Sequence, residues 1–334
     1  MKKRLATTLL VSSLAFVSLV GCGSSTTTAA NPAPNNSGKA DTGGKITIGV
    51  AMPTFDDVWL NYLRHAMEQY ATKNPNIKLI FSDANNDSSK QLSEVDNFIA
   101  EKVKSIVVVP VDPKSMQPIL DAANHAKVPL VAVNREFPNM DQATAYVGSQ
   151  SIQAGILEMT QIAKLLHGKG NIAIMEGQLG QEAEVDRTKG YYEVLKKYPD
   201  IHVVLKGTAS WDRAKGMSLM ENWLHSGKQI NAVVSNNDEM AIGAIRAVSA
   251  AGMQGKIIVG GTDATPEGLS YVKNGQLAVS VYQSALGQGQ DGIKLAYEAA
   301  KGEKVQKTDY VPYELVTKDN ADKYLAVWKQ LGAK

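Results

Sequence analysis

Ala232-Val233-Val234-Ser235-Asn236-Asn237-Asp238-Glu239-Met240-Ala241-Ile242-Gly243-Ala244-Ile245-Arg246-Ala247 decides the fold. A short apolar run reads as a buried parallel strand and stops at two asparagines and an aspartate. An Ala-rich helix begins at once, with Asp238 as its expected N-cap. Polar side chains therefore gather at a strand's carboxyl end, the edge at which open α/β sheets bind ligands because side chains and helix N-termini converge there. The pattern recurs. Ile48 to Met52 runs into Thr54, Asp56 and Asp57; Leu130 to Val133 runs into Asn134 and Arg135; Ile257 to Gly260 runs into Thr262 and Asp263.

Outward from that stretch, strand-like runs alternate with amphipathic helical ones from Lys45 onward, the signature of repeated βαβ units. Strands are expected at 46–52, 77–82, 105–109 and 130–133, with helices at 59–73, 88–102 and 116–126. After a short run at 145–148 the alternation restarts, with strands at 171–175, 201–206, 232–234 and 257–259 and helices at 151–166, 184–197, 212–226 and 238–251. The fold class is thus α/β, with two similar doubly wound parallel-sheet domains. A tail follows: a strand at 277–282, a helix at 285–301, the segment 313–317 and a short helix.

The chain has 334 residues, 44% of them apolar, enough for two cores, and its formal charge of +2 leaves no bulk electrostatic footprint for nucleic acid. Lys2, Lys3 and Arg4 precede an apolar run from Leu9 to Val20, which is short for a membrane span and suited to a secretory signal. It ends in Leu19-Val20-Gly21-Cys22, which looks like a bacterial lipobox with Cys22 as the lipidated residue. Cys22 is the only cysteine, which rules out a disulfide within the chain. Residues 23–44, rich in Ser, Thr, Asn, Pro and Gly, read as a flexible tether.

Catalytic machinery is not legible. The five histidines (His65, His125, His167, His202, His225) are dispersed, and no His-Glu-x-x-His, clustered His and Cys, or Walker-type loop occurs. Gly287-Gln288-Gly289-Gln290-Asp291-Gly292 formally matches the dinucleotide fingerprint, but it lies in the last strand-helix pair with no βαβ unit after it; close helix packing is the expected use of its glycines. No cofactor and no metal are expected. A second constellation has more content: Phe55, Asp57, Trp59, Asn134, Arg135, Arg187, Trp211, Asn237, Asp263 and Gln283, acids, amides, guanidinium groups and aromatics near strand ends. A sugar or cyclic polyol asks for this mixture, since its hydroxyls both donate and accept while its C–H faces suit a flat indole.

From Lys45 on, the chain resembles the periplasmic sugar-binding proteins of ABC importers, of the ribose, glucose/galactose and myo-inositol receptor type. The resemblance rests on residues 236–244, on Trp211-Asp212 before a helix, on Thr54-Phe55-Asp56-Asp57-Val58-Trp59, and on the segments 105–110 and 128–135. It implies that Asp57 and Asn134 hold ring hydroxyls from the first domain, with Arg135 beside them, and that Trp59 and Trp211 stack on opposite ring faces. Arg187, Asn237 and Asp263 would bind from the second domain, and Gln283 near a crossover. The loop 181–184, Gln-Glu-Ala-Glu, departs from the glucose/galactose receptors, so neither hexose is implied, and their calcium loop has no counterpart.

With the N-terminal signals read as a signal peptide at 1–22 and a linker at 23–44, the family's topology further implies a first lobe of 45–149 plus 284–312 and a second lobe of 150–283 plus 313–334, joined by a three-strand hinge. The resulting expectation is an exported, lipid-anchored, monomeric receptor that closes on a hexose, pentose or myo-inositol and delivers it to an ABC permease, with no nucleic-acid partner. Rival readings are an enzyme using Asp57 and Asp263 as paired carboxylates, a receptor presenting a sugar or autoinducer to a membrane sensor, and a sugar-responsive DNA-binding regulator. Against the regulator, the lipobox stands where its helix-turn-helix would be needed.

Overall fold

The computed structural model describes residues 44–332. The expected lipidation site Cys22, the expected signal peptide and residues 23–43 of the expected tether lie outside the described residues.

Two parallel sheets form in succession. The first half runs β1 (Ile46–Met52), α1 (Val58–Lys73), β2 (Ile77–Asp83), α2 (Ser88–Ala100), β3 (Ser105–Val108), α3 (Met116–His125), β4 (Leu130–Asn134) and β5 (Ala145–Gly148). The second runs α4 (Ser151–Leu165), β6 (Lys169–Glu176), α5 (Glu182–Leu195), β7 (Asp200–Thr208), α6 (Arg213–His225), β8 (Ala232–Ser235), α7 (Asp238–Ala250), β9 (Ile258–Gly260), α8 (Pro266–Lys273) and β10 (Ser280–Tyr282). The chain then adds α9 (Ala285–Ala300), β11 (Thr308–Tyr310), β12 (Glu314–Val316) and α10 (Ala321–Gln330).

Strand order in the six-stranded sheet is β11-β5-β4-β3-β1-β2, and in the four-stranded sheet β7-β6-β8-β9, with every pairing parallel. Helices cover both faces of the sheets, so the central strands β3 and β8 are buried along their whole length, while β1 and β6 are buried from their third and fourth residues on. On the first sheet α1 and α9 pack together on one side and α2 with α3 on the other; in the second half α4 pairs with α5 and α6 with α7. The chain passes between the two sheets three times, at 149–150, at 283–284 and at 311–313, since α9 and β11 return to the first sheet and β12 pairs antiparallel with β10.

The glycine motif at 287–292 serves the packing of α9. A side chain at Gly289 would meet the Ala66 methyl at 2.7 Å and the Leu63 carbonyl at 2.8 Å, so the glycine lets α9 lie directly on α1.

Several local expectations are corrected. Asn237, not Asp238, caps α7, its Oδ1 accepting from the Met240 amide at 3.0 Å. Asp238 instead turns into the core, where it is fully buried and accepts from Ser280 Oγ at 2.7 Å and the Thr265 amide at 3.0 Å. The strand expected at 277–282 is regular only from Ser280, its earlier part joining Gly260 through a single bridge at Val279. Besides two single-turn 3-10 helices at Pro113–Ser115 and Met140–Gln142, two elements among the described residues had no expected counterpart: α8, eight residues begun by Thr265-Pro266, and β11, three residues recruited to the sheet edge.

Candidate functional site

The carboxyl ends of both sheets converge on one cleft. Nine of the ten candidate residues line one solvent-open cavity: Asp57, Trp59, Asn134, Arg135, Arg187, Trp211, Asn237, Asp263 and Gln283. Phe55 does not. Its ring lies under the Arg64 guanidinium, 4.5 Å from the centroid, and packs against the core, while its carbonyl accepts from Asn61 Nδ2 at 2.7 Å. The loop geometry that points Asp57 and Trp59 into the cleft turns Phe55 away.

From the side of the first sheet, Asp57 Oδ1 caps α1 by accepting from the Leu60 amide at 2.8 Å, which leaves its second oxygen uncommitted. Trp59, in the first turn, is 6% exposed, and its indole N–H reaches across to the Gln283 carbonyl at 3.2 Å. Asn134 ends β4 with φ +72°, a left-handed conformation asparagine tolerates, held by Tyr146 donating to its carbonyl at 3.0 Å. Arg135 is buried and donates to the carbonyls of Pro110 at 2.6 Å and Val111 at 3.2 Å. Burial lowers its pKa from the ordinary arginine value, with Asp57 and Glu182 acting in the opposite sense.

On the side of the second sheet, Arg187 on α5 is the most connected group. Its guanidinium donates to the Asn236 carbonyl at 2.6 Å, to Gln283 Oε1 at 2.8 Å and to Tyr313 Oη at 3.0 Å, and it lies 3.7 Å from Asp263. Burial alone would favour loss of its proton; Tyr313 and Asp263 outweigh that and keep it cationic. Asp263 is 4% exposed with φ +121°, a strained backbone for a residue with a side chain. Burial pushes its carboxyl up from the ordinary aspartate range, and Arg187 pulls it back. Trp211 also has a positive φ, +67°; its indole lies against the backbone of Gly177, where no side chain would fit, and donates to Gln181 Oε1 at 2.7 Å. Asn237 Nδ2 donates to the Trp211 carbonyl at 3.4 Å, coupling the cap of α7 to the indole.

Three further residues line the cavity: Leu60, Gln181 and Ala183. Gln181 both anchors Trp211 and donates across the cleft to the Val111 carbonyl at 3.4 Å. It falls in the 181–184 loop, whose departure from the glucose/galactose receptors was the only sequence signal for it.

Chemically the cavity offers two acids, two guanidinium groups, four amides and two indoles. Such a set can donate to and accept from hydroxyls in pairs and flank an apolar ring. Among the described residues no group of three or more His, Cys, Asp or Glu is placed to hold a metal, and no helix is long and apolar enough to cross a membrane.

Known proteins share this arrangement. Residues 48–304 match the family described as periplasmic binding protein domain. A relative from Rhizobium meliloti is 43% identical over 280 residues, 82% of this chain and 91% of its own length, and its name proposes rhizopine as its ligand. A xylitol-binding protein of Mycolicibacterium smegmatis is 40% identical over 260 residues, 78% of this chain and 74% of the relative. A solved ABC transporter solute-binding protein of Bacillus halodurans with bound myo-inositol is 48% identical, with TM-score 0.83, covering 86% of this chain and 99% of that one. Members of the family are exported binding proteins of transport systems rather than enzymes. A cleft between two doubly wound sheets, edged by hydroxyl-binding groups and matched along most of its length by such proteins, makes this chain a member of the periplasmic binding protein family, the solute-binding component of an ABC importer.

Proposed function

We propose that the chain captures a cyclic polyol of the inositol class and hands it to its permease, with Asp57, Asn134, Arg135, Arg187, Asn237, Asp263 and Gln283 holding hydroxyls and Trp59 and Trp211 stacking on opposite faces of the ring. The observation that carries the reading is the one cavity onto which these side chains converge from both lobes. The myo-inositol bound by the 48% identical Bacillus halodurans protein supports the choice of ligand. The pairing of carboxylates with guanidinium groups also suits vicinal hydroxyls, because each charged partner strengthens its hydrogen bonds.

Ligand would bridge the two strand-end edges and favour the closed form by its differential affinity for the two states. Lobes of 45–149 plus 284–312 and of 150–283 plus 313–334 would move about the three crossovers. Cys22 would carry the lipid that anchors the protein, with 23–44 as tether, and the receptor would act as a monomer. Isothermal titration of residues 45–334 with myo-inositol, xylitol and ribose tests the ligand. The expected order puts myo-inositol first at about micromolar Kd, near −8 kcal/mol; tighter binding of ribose, or no heat with any of the three, overturns it. Radiolabelled palmitate incorporated into wild type but not Cys22→Ala tests the anchor.

A further inference from the structure

Behind Asn134 runs a chain of hydrogen bonds that ends on a backbone carbonyl at the third crossover. Asn134 Nδ2 donates to Gln288 Oε1 at 3.1 Å, Gln288 Nε2 donates to Ser149 Oγ at 2.8 Å, and Ser149 Oγ donates to the Val311 carbonyl at 2.6 Å. Gln288 is fully buried and Ser149 is 1% exposed, so neither can exchange its partner for bulk water without a desolvation penalty.

The direction of this chain is set from its far end. A backbone carbonyl has no proton to give, so Ser149 commits its one hydroxyl proton to Val311 and offers Gln288 only a lone pair. Gln288 meets that lone pair with an N–H, which turns its Oε1 toward Asn134. Asn134 in turn answers with an N–H, and its own Oδ1 is left for the cavity. Each carboxamide has two orientations of nearly equal shape; the terminal carbonyl selects one for both.

We infer that Gln288, seated on Ser149, is a positioning residue that fixes the polarity of Asn134, so that the site demands a hydrogen-bond donor from the ligand at that point. The inference rests on the reading that Asn134 faces the ligand. It makes the relay a determinant of specificity: a ring hydroxyl satisfies Asn134 Oδ1, whereas fluorine at the same ring position is an acceptor facing an acceptor. Since Ser149 and Val311 belong to the first and third crossovers, the polarity of a ligand residue is written by the hinge itself.

The test is a double-mutant cycle with myo-inositol as the probe, using Asn134→Ala, Gln288→Met and the double variant. Gln288→Met is expected to weaken binding about tenfold in the wild-type background and less than twofold in the Asn134→Ala background. A series of monodeoxy-monofluoro inositols is expected to include one analogue whose penalty in wild type shrinks at least fivefold in Gln288→Met. Equal losses from Gln288→Met in both backgrounds, or an unchanged fluoro penalty throughout the series, would overturn the relay. A ligand-independent arm follows the Asn134 side-chain amide signals by 15N NMR in the empty protein, assigned through their disappearance in Asn134→Ala. These signals should shift in Gln288→Met and also in Ser149→Ala, a smaller change that serves if the first variant folds poorly; signals unmoved in every folded variant refute the relay. Failure of the wild type to bind myo-inositol would strike the ligand reading, and the amide shifts would still decide the relay.

Discussion

Arg187 donates to Gln283 at 2.8 Å, and through that bond a cavity residue on the side of the second sheet grips the segment returning the chain to the first sheet. The same guanidinium nitrogen also donates to Tyr313 at 3.0 Å, on the last crossover. One cation is thus tied to two of the three connections about which the lobes would move, while its other nitrogen reaches the Asn236 carbonyl at 2.6 Å. A ligand that touched Arg187, as proposed above, would therefore act directly on two of these connections.

Arg187→Lys keeps the charge and loses the planar fork that serves several acceptors at once. The Asn236 carbonyl and Gln283 cannot both be satisfied by one ammonium at the end of a differently shaped stem. Affinity for the bound polyol is expected to fall at least a hundredfold by calorimetry, and Tm by several degrees, because buried acceptors are left without donors. A lysine variant with wild-type affinity would remove Arg187 from the site.

Trp211 presents an indole whose N–H is already taken by Gln181. Only its ring remains to act on a ligand. Trp211→Ala should weaken binding at least tenfold while the Tm of the empty protein changes little, since the residue is only partly buried; Trp211→Phe should recover most of the loss. Gln181→Ala, which frees the indole to rotate, should cost several-fold in affinity. Titration of the three variants checks the order.

Asn237 joins two roles that substitution can separate. Its Oδ1 caps α7, and its side chain lines the cavity. Asn237→Ser keeps a capping oxygen and withdraws the amide, so its stability should stay near wild type while its affinity falls. Asn237→Ala should show the same loss of affinity together with about 1 kcal/mol less stability by urea denaturation. If the serine variant binds as wild type does, Asn237 serves only as a cap.

The architecture was legible because hydrophobic period and strand-end polarity carry it: β8 and the start of α7 fall within two residues of where the stretch 232–247 puts them. The strand-end position of Asn134 was legible for the same reason, since it directly follows an apolar run, and Asp57 and Asp263 lie within five residues of one. Gln181 was not, because an uncharged glutamine in a loop carries no periodic signal and its role depends on Val111 and Trp211, distant in sequence. Phe55 shows the opposite difference: an aromatic beside ligand-loop acids suggested the cavity, whereas in this structure its ring lies under Arg64. Asp238 was assigned the cap because both it and Asn237 suit that position, and only tertiary packing against Thr265 and Ser280 distinguishes them.

Behind the cavity of the second lobe, Glu158 is fully buried and accepts from Tyr191 Oη at 2.7 Å, the Ser235 amide at 3.0 Å and Thr262 Oγ1 at 3.2 Å. Burial pushes its carboxyl up from 4.5 to about 8, against the pull of these donors. Burial likewise raises Glu182 to about 8 and Asp238 to about 7. The folded protein therefore holds protons between pH 4.5 and 8 that the unfolded chain has released, and stability must fall as pH rises across that window. The contribution is fully present below the unfolded value and is lost as pH passes the folded one. Glu158→Gln removes the titration and keeps a carbonyl to accept from Ser235, with an NH2 group facing the two hydroxyls, which can reverse to accept from it. Thermal melts of the ligand-free protein from pH 5 to pH 8.5 should show Tm falling by several degrees in wild type and by clearly less in Glu158→Gln, with the two curves closest at the acid end. A wild-type Tm that is flat or rises with pH over this range would mean that Glu158 is ionised in the folded state, held by its three donors in spite of its burial.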